Sequence, residues 1–550
     1  MVRRARRRLR LASVARWRFP GRLPTQLYAA PDLRPVAPAI ALDIYSSRFS
    51  LAGQVVDTGG ASPFHLHDAD TEWKRALHGF RWLRHHAALG TGLASANARA
   101  LIADWIAFSS QKKTGVAWEA SIIAKRLIAW TQHSQLVLAG AETSFRAGFV
   151  ASVAAQFRHL QILAPEIGQD GDRLRARVAL ALTSLSLPLP GHTVQGAARR
   201  LESELERQIL PDGVHVSRNP LAVLDLLADL LSLRQAYIDQ SQAVPRALVR
   251  AVDRMLPALR FFSHVDGTLA RFNGAGYAPD GLLDAMLHWD ESHVAAPSHA
   301  PHGGYERLAL GETVVLVDVG RPPRPGASSM AHAGCLSFEL SSGRCSLVVN
   351  CGVGRAGSTE LRSMARATAA HSTATLNDTS QARFDHAPRL TRVIGAPLLG
   401  GPKRVRSHRV DQAGFQRLTA EHDAYASSFG LVHLRELELE EDGDALLGVD
   451  RFKAASPGRS SSAPVNAVIR FHIHPHVIVE RQDDQAMLTM PDGATWVFES
   501  QTDVFDIETS MFFASETKPR RTVHLAISVT SARDREIRWR FGRLRAPVQS

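Results

Sequence analysis

Three cysteines in 550 residues, Cys335, Cys345 and Cys351, are an odd number without paired-ligand spacing. They exclude a disulfide framework and read as small apolar residues in strands. No stretch reaches the roughly 20 consecutive apolar residues that a spanning helix needs. The start is basic, but LASVARWRF is too short and too broken by arginine for a signal-peptide core, so the plain reading is a cytoplasmic start. Zinc-finger spacings and aromatic-rich basic repeats are missing too, and charge alone does not favour nucleic acid. Internal repeats and low-complexity tracts are also lacking.

What is present is an ordinary globular composition, 45% apolar and 21% charged, with length for two or three domains. The formal net charge is +12. Six arginines fall in the first ten residues, MVRRARRRLR. A basic surface suits an acidic partner, and residues 3–10 offer contact with an anionic membrane surface.

The chain divides by periodicity. Residues 1–60 are a basic, proline-punctuated lead-in whose stretch 43–59 reads as a short hairpin. From 61 to 300 apolar residues recur every three or four positions, as in TEWKRALHGFRWLRHHAAL (71–89) and EASIIAKRLIAWTQHSQLVL (119–138). Roughly eight helices follow, arranged as a bundle, a solenoid or a ring of helix pairs. Trp73, Trp82, Trp105, Trp118 and Trp130 fall on these helices as core residues, with sugar stacking as the alternative. From 301 to 545 short alternating runs, TRVIGAP (391–397) among them, predict an antiparallel sandwich. KAASPGRSSSAP (453–464) reads as a polar loop.

One stretch of the β region, Ala327–Phe384, is site-like. LSFEL and SLVVN read as two strands joined by a Ser-Gly turn. His332 stands at the mouth of that hairpin, Asn350 at the end of its second strand and His371 before a third. Period-two histidines, His433 with Arg435 and His472 with His474, share strand faces, either as a metal site or as a polar outer face.

Helices first, then AHAGCLSFE, LVVNCG and TAAHSTATLND in order: the chain resembles the heparinase II/III-like family over about 300–530. DGVHVSRNP (212–220) and the LHGFRWLRH and AWEASIIAKRLIAW helices extend the likeness. The resemblance implies an α+β multidomain fold, an N-terminal incomplete (α/α) toroid followed by a C-terminal antiparallel β-sandwich. It also implies β-elimination on a uronic-acid polysaccharide. That chemistry needs the uronate carboxylate neutralised, a base for the C5 proton and an acid for the departing oxygen.

Carried over by the resemblance, His332, Asn350 and His371 match a structural zinc site of His, Asp and His. Asn350, a poorer zinc donor than a carboxylate, stands where the family has Asp, and no other cofactor is required. The family tyrosine after a Ser-Pro pair falls at about Ala222 here and is absent. Of the upstream Asn-His pair, PGHTVQG offers only His192. Replacement candidates for proton transfer are His332, His215, Tyr277, His264 and, from EHDAY, Tyr425. Candidates for holding substrate are Arg218, Asn219, Asn273 and His422, with Arg218 the best match to a carboxylate because of its planar fork.

Two readings follow: a carbon–oxygen lyase acting on an acidic polysaccharide, and a non-catalytic acidic-glycan-binding or envelope-assembly protein that kept the fold. The resemblance places either in the cell envelope or periplasm, against the cytoplasmic reading of the start.

Overall fold

The computed structural model describes residues 24–544 except 112, 291–293, 355–358, 386, 388–395 and 457–463. The arginine run, the first five residues of TRVIGAP and most of the polar loop at 453–464 lie outside the described residues. The chain forms two compact units. One comprises the described residues up to Ile209 with Asp225–Asp253 and Asp280–Met286. The other comprises Leu210–Leu224, Arg254–Pro279 and the described residues from Leu287 onward.

The first unit is helical and includes the small hairpin Arg48–Leu51 and Gln54–Asp57. Asp70 starts the helix Thr71–Gly79 by accepting the backbone N–H of Glu72 at 2.7 Å. The periodicity predicts one helix through 89; two form, Thr71–Gly79 and Leu83–Leu89. Phe80 between them takes a left-handed backbone (φ 56°). That conformation costs roughly 1–2 kcal/mol for a residue with a Cβ. It is offset because the turn inserts the Phe80 ring, fully buried, among Trp82, Trp105 and Trp130. A second predicted helix breaks at His133 into Ala120–Gln132 and Ser134–Leu138. All five tryptophans of this region are core residues.

The second unit holds two antiparallel sheets. The eight-stranded one runs in space Val405–Gln412, Phe415–His422, Leu431–Glu440, Ala445–Ala454, Glu536–Arg543, Thr495–Ser500, Gln485–Thr489 and Ile478–Gln482. The nine-stranded one runs Phe505–Phe512, Arg520–Val529, Ala467–Ile473, Cys345–Val349, Phe338–Ser342, Thr313–Asp318, Tyr305–Leu310 and His299–Ala300, with Ala374–Leu376 paired beside Ala467–Ile473. Their facing side chains interdigitate: Phe338 and Phe471 from one sheet meet Trp539 of the other, with ring centroids 5.7 and 4.7 Å apart. This is the core of a sandwich. Helices first and antiparallel sheets second is the fold class the sequence predicts.

Candidate functional site

Two segments from the helical half of the sequence, 210–224 and 254–279, belong to the same compact unit as the sheets. They carry Arg218 and Asn273, and both residues adopt left-handed backbone (φ 59° and 49°). Non-glycine residues keep such a conformation only where the surroundings fix it. Here one carboxylate does so. Asp318, at the end of the strand Thr313–Asp318, accepts Arg218 Nη2 at 2.5 Å and Asn273 Nδ2 at 3.0 Å. Asn273 also donates to the Tyr305 hydroxyl at 2.8 Å, and that hydroxyl donates to the Arg218 carbonyl.

Arg218 is fully engaged. Its Nε donates to the carbonyl of Gly303 at 2.6 Å, Nη1 to that of Arg321 at 3.1 Å, and Nη2 to that of Gly304 at 2.9 Å as well as to Asp318. Burial works against its charge, but the adjacent Asp318 outweighs it and holds the guanidinium above its ordinary value. Glycine is required at 320, where a Cβ would lie 2.2 Å from Arg218 Nη2.

Asn273 Oδ1 accepts the backbone N–H of His332 at 3.4 Å, which links this cluster to the histidines. His371 Nδ1 lies 2.8 Å from the Ala367 carbonyl and therefore carries a proton. Its Nε2 is left as the acceptor for His332 Nδ1, 2.9 Å away. His332 Nε2 is then a bare lone pair, buried and without a partner. Burial first, then His371, holds His332 well below the usual histidine range, and burial brings His371 to about 4. Both rings are neutral at pH 7.

His332 opens on a small cavity lined also by Arg218, Asp318, Cys335, Gln381 and Leu398. Gln381 donates Nε2 to the Cys335 carbonyl at 3.0 Å, and its Oε1 is buried without a partner. The two unsatisfied atoms among these lining residues are thus both acceptors. Burial raises the Cys335 thiol well above its ordinary value, so it is no nucleophile there.

The residues do not fit a zinc ion. Zinc would have to displace the proton that bridges His332 Nδ1 and His371 Nε2. Asn350 brings no charge, and its Oδ1 already accepts the Ser372 N–H at 3.0 Å. Among the described residues no three His, Cys, Asp or Glu side chains are grouped as metal ligands.

The other candidates sit apart from the cavity. His215 is buried, its Nδ1 2.7 Å from the Ser217 hydroxyl. Asn219 caps the helix Pro220–Asp239, accepting the Ala222 N–H at 3.2 Å. Tyr277 is partly buried and its N–H donates to Val353. His264 pairs with Glu339 at 2.9 Å. Tyr425 is buried in the sandwich core and donates to the Ala374 carbonyl at 2.9 Å, with His422 buried beside it. His433 and Arg435 share Asp450, and His472 is held by Ser510 and the Ala369 carbonyl. Asp318, Tyr305 and Gln381 were not apparent from sequence. The available signal was a carboxylate closing an otherwise apolar strand, TVVLVD.

Residues 293–540 match the family described as heparinase II/III-like, C-terminal. FtsZ-localized protein C of Caulobacter vibrioides is 30% identical over 498 residues, covering 88% of this chain and 84% of that protein. Among solved structures, heparinase III superposes with a TM-score of 0.72 at 14% identity, over 97% of this chain and 88% of that one. The heparan sulfate lyase HepC of Pedobacter heparinus, as a mutant, gives 0.61 at 15% identity, over 99% and 88%. At such identities the solved structures show the fold alone.

Proposed function

The chain belongs to the heparinase II/III-like family, and from that premise we propose that it is a non-catalytic member, a binding protein of the cell-division apparatus. One observation carries this reading: the cation best suited to a uronate carboxylate, Arg218, is closed off by Asp318 and three carbonyls. The unsatisfied atoms left in the cavity lining, His332 Nε2 and Gln381 Oε1, accept rather than donate. A carboxylate brought there meets lone pairs rather than a free cation, and β-elimination needs such a cation to acidify the C5 proton.

The relative at 30% identity is named for localisation with FtsZ, which supports a role at the division site. A net charge of +12 suits acidic partners, acidic glycan among them. Among the described residues no helix is long and apolar enough to cross a membrane. A fluorescent fusion of the full chain in its own host tests the reading. It is expected to concentrate at the division plane and to disperse when FtsZ is depleted. Uniform distribution that FtsZ depletion does not alter contradicts it.

A second reading, β-elimination on a uronate polysaccharide, is favoured by the bare lone pair of His332 Nε2, which has the form of a general base. It would require Arg218 to leave Asp318 when substrate binds.

A further inference from the structure

A different part of the molecule carries a feature that neither reading uses. The helices Asp170–Ser186 and Gly191–Gln208 of the helical unit are joined by only four residues, Leu187 to Pro190. The start of the first meets the end of the second, where Arg173 Nε donates to Glu204 Oε1 at 2.7 Å. The pair is therefore antiparallel, and this bridge sets its register. One turn along, four residues forward on the first helix and four back on the second, that register brings Arg177 level with Arg200, and the two charges are close enough to act on each other. An Arg–Glu rung is followed by an Arg–Arg rung.

Among the described residues neither Arg177 nor Arg200 forms an ion pair. Glu204 is occupied by Arg173 and Arg207. The next turn pairs Ala181 with Gly196 by the same register, and neither brings a charge. Arg177 Nε is buried without a hydrogen-bond partner. Arg200 is exposed, and its Nη1 donates to the carbonyl of Gly196 at 3.1 Å. A Cβ placed on Gly196 would meet only that Nη1, at 3.2 Å, so the space beside Gly196 is open. Burial first, then Arg200, Arg173 and Arg207, push the Arg177 guanidinium below its ordinary value.

Two guanidinium groups facing each other across a helix seam repel unless an anion lies between them. Each offers a planar fork that matches two oxygens of an oxyanion. A carboxylate has oxygens for one fork, whereas a tetrahedral group can serve both. We propose that Arg177 and Arg200 form a binding site for a tetrahedral oxyanion, a phosphate or sulfate group. It stands independently of the function proposed above.

Calorimetric titration of the full chain with sodium phosphate and sodium sulfate, at ionic strength matched with chloride, tests this. Saturable binding is expected for the wild type. Arg200→Gln, a change at an exposed position, is expected to weaken it by about tenfold or more. Arg406→Gln, an exposed arginine in the β unit, is the control and leaves it unchanged. A sulfated disaccharide forms a second arm. If it binds more tightly than inorganic sulfate and loses that advantage in Arg200→Gln, the group is glycan-borne; if not, it is a free anion. No heat beyond the chloride control, or equal affinity in Arg200→Gln and wild type, overturns the assignment.

Discussion

Arg218 and Asp318 lie 100 residues apart in sequence and meet as a closed ion pair, Nη2 to Oδ1 at 2.5 Å, each side chain less than a tenth exposed. Around this pair the cluster reads as a piece of architecture. It fixes two left-handed loop residues to the end of a strand, and the one cation among the described lining residues, Arg218, is already paired.

If the pair is architectural, Asp318→Asn strands a buried guanidinium without its anion. A loss of about 3–5 kcal/mol in unfolding free energy is expected, read by urea denaturation. The double change Arg218→Ala with Asp318→Ala should cost less than the sum of the two single changes, because the groups act together. Additive losses would mean that the two do not interact.

Gly320→Ala sets a methyl group 2.2 Å from Arg218 Nη2, a clash that something must relieve. The expected cost is about 1–3 kcal/mol by the same measurement. A neutral result would show that the Arg218 side chain can move freely, which would favour the lyase reading.

The sequence shows the layers more plainly than the site. Alternating apolar runs mark the strands because a half-buried strand must alternate, and the order of AHAGCLSFE, LVVNCG and TAAHSTATLND identifies the β unit. The break at Phe80 is invisible locally, since the ring takes up its position only through Trp82, Trp105 and Trp130. His332, His371, Arg218 and Asn273 stand out as polar residues at strand ends and loops, and the structure joins them. Asp318 does not stand out, because a carboxylate after five apolar-strand residues reads as a solvated strand end. Its partners Arg218 and Asn273, 100 and 45 residues earlier, show otherwise.

Stability should depend on pH through buried neutral histidines. Burial first holds His78 at about 3, with Arg126 next, and likewise His474 at about 3, with Arg271 next. Below the ordinary histidine value of about 6.5 the unfolded chain binds protons that these folded residues refuse, so stability falls as pH drops from there toward 3. Between pH 7 and 5 each contributes a loss of about 2 kcal/mol. Urea midpoints at pH 7, 6 and 5 should decline, and His474→Gln should flatten the slope. A midpoint that rises on acidification contradicts the assignment.

Metal removal should change nothing. Purified protein is expected to hold well under one zinc per chain, and chelator should leave the thermal midpoint where it was. Stoichiometric zinc that disappears in His332→Ala would show that the two histidines open to share a metal rather than a proton.

The central claim, that the fold is kept without the reaction, is met most directly by following the ultraviolet absorbance of the unsaturated uronate. The folded protein is incubated with heparan sulfate, alginate, hyaluronan and bacterial exopolysaccharides. No increase over buffer on any of them is expected, for wild type and for His332→Ala alike. Product formation by the wild type that His332→Ala abolishes would contradict the account and establish the lyase.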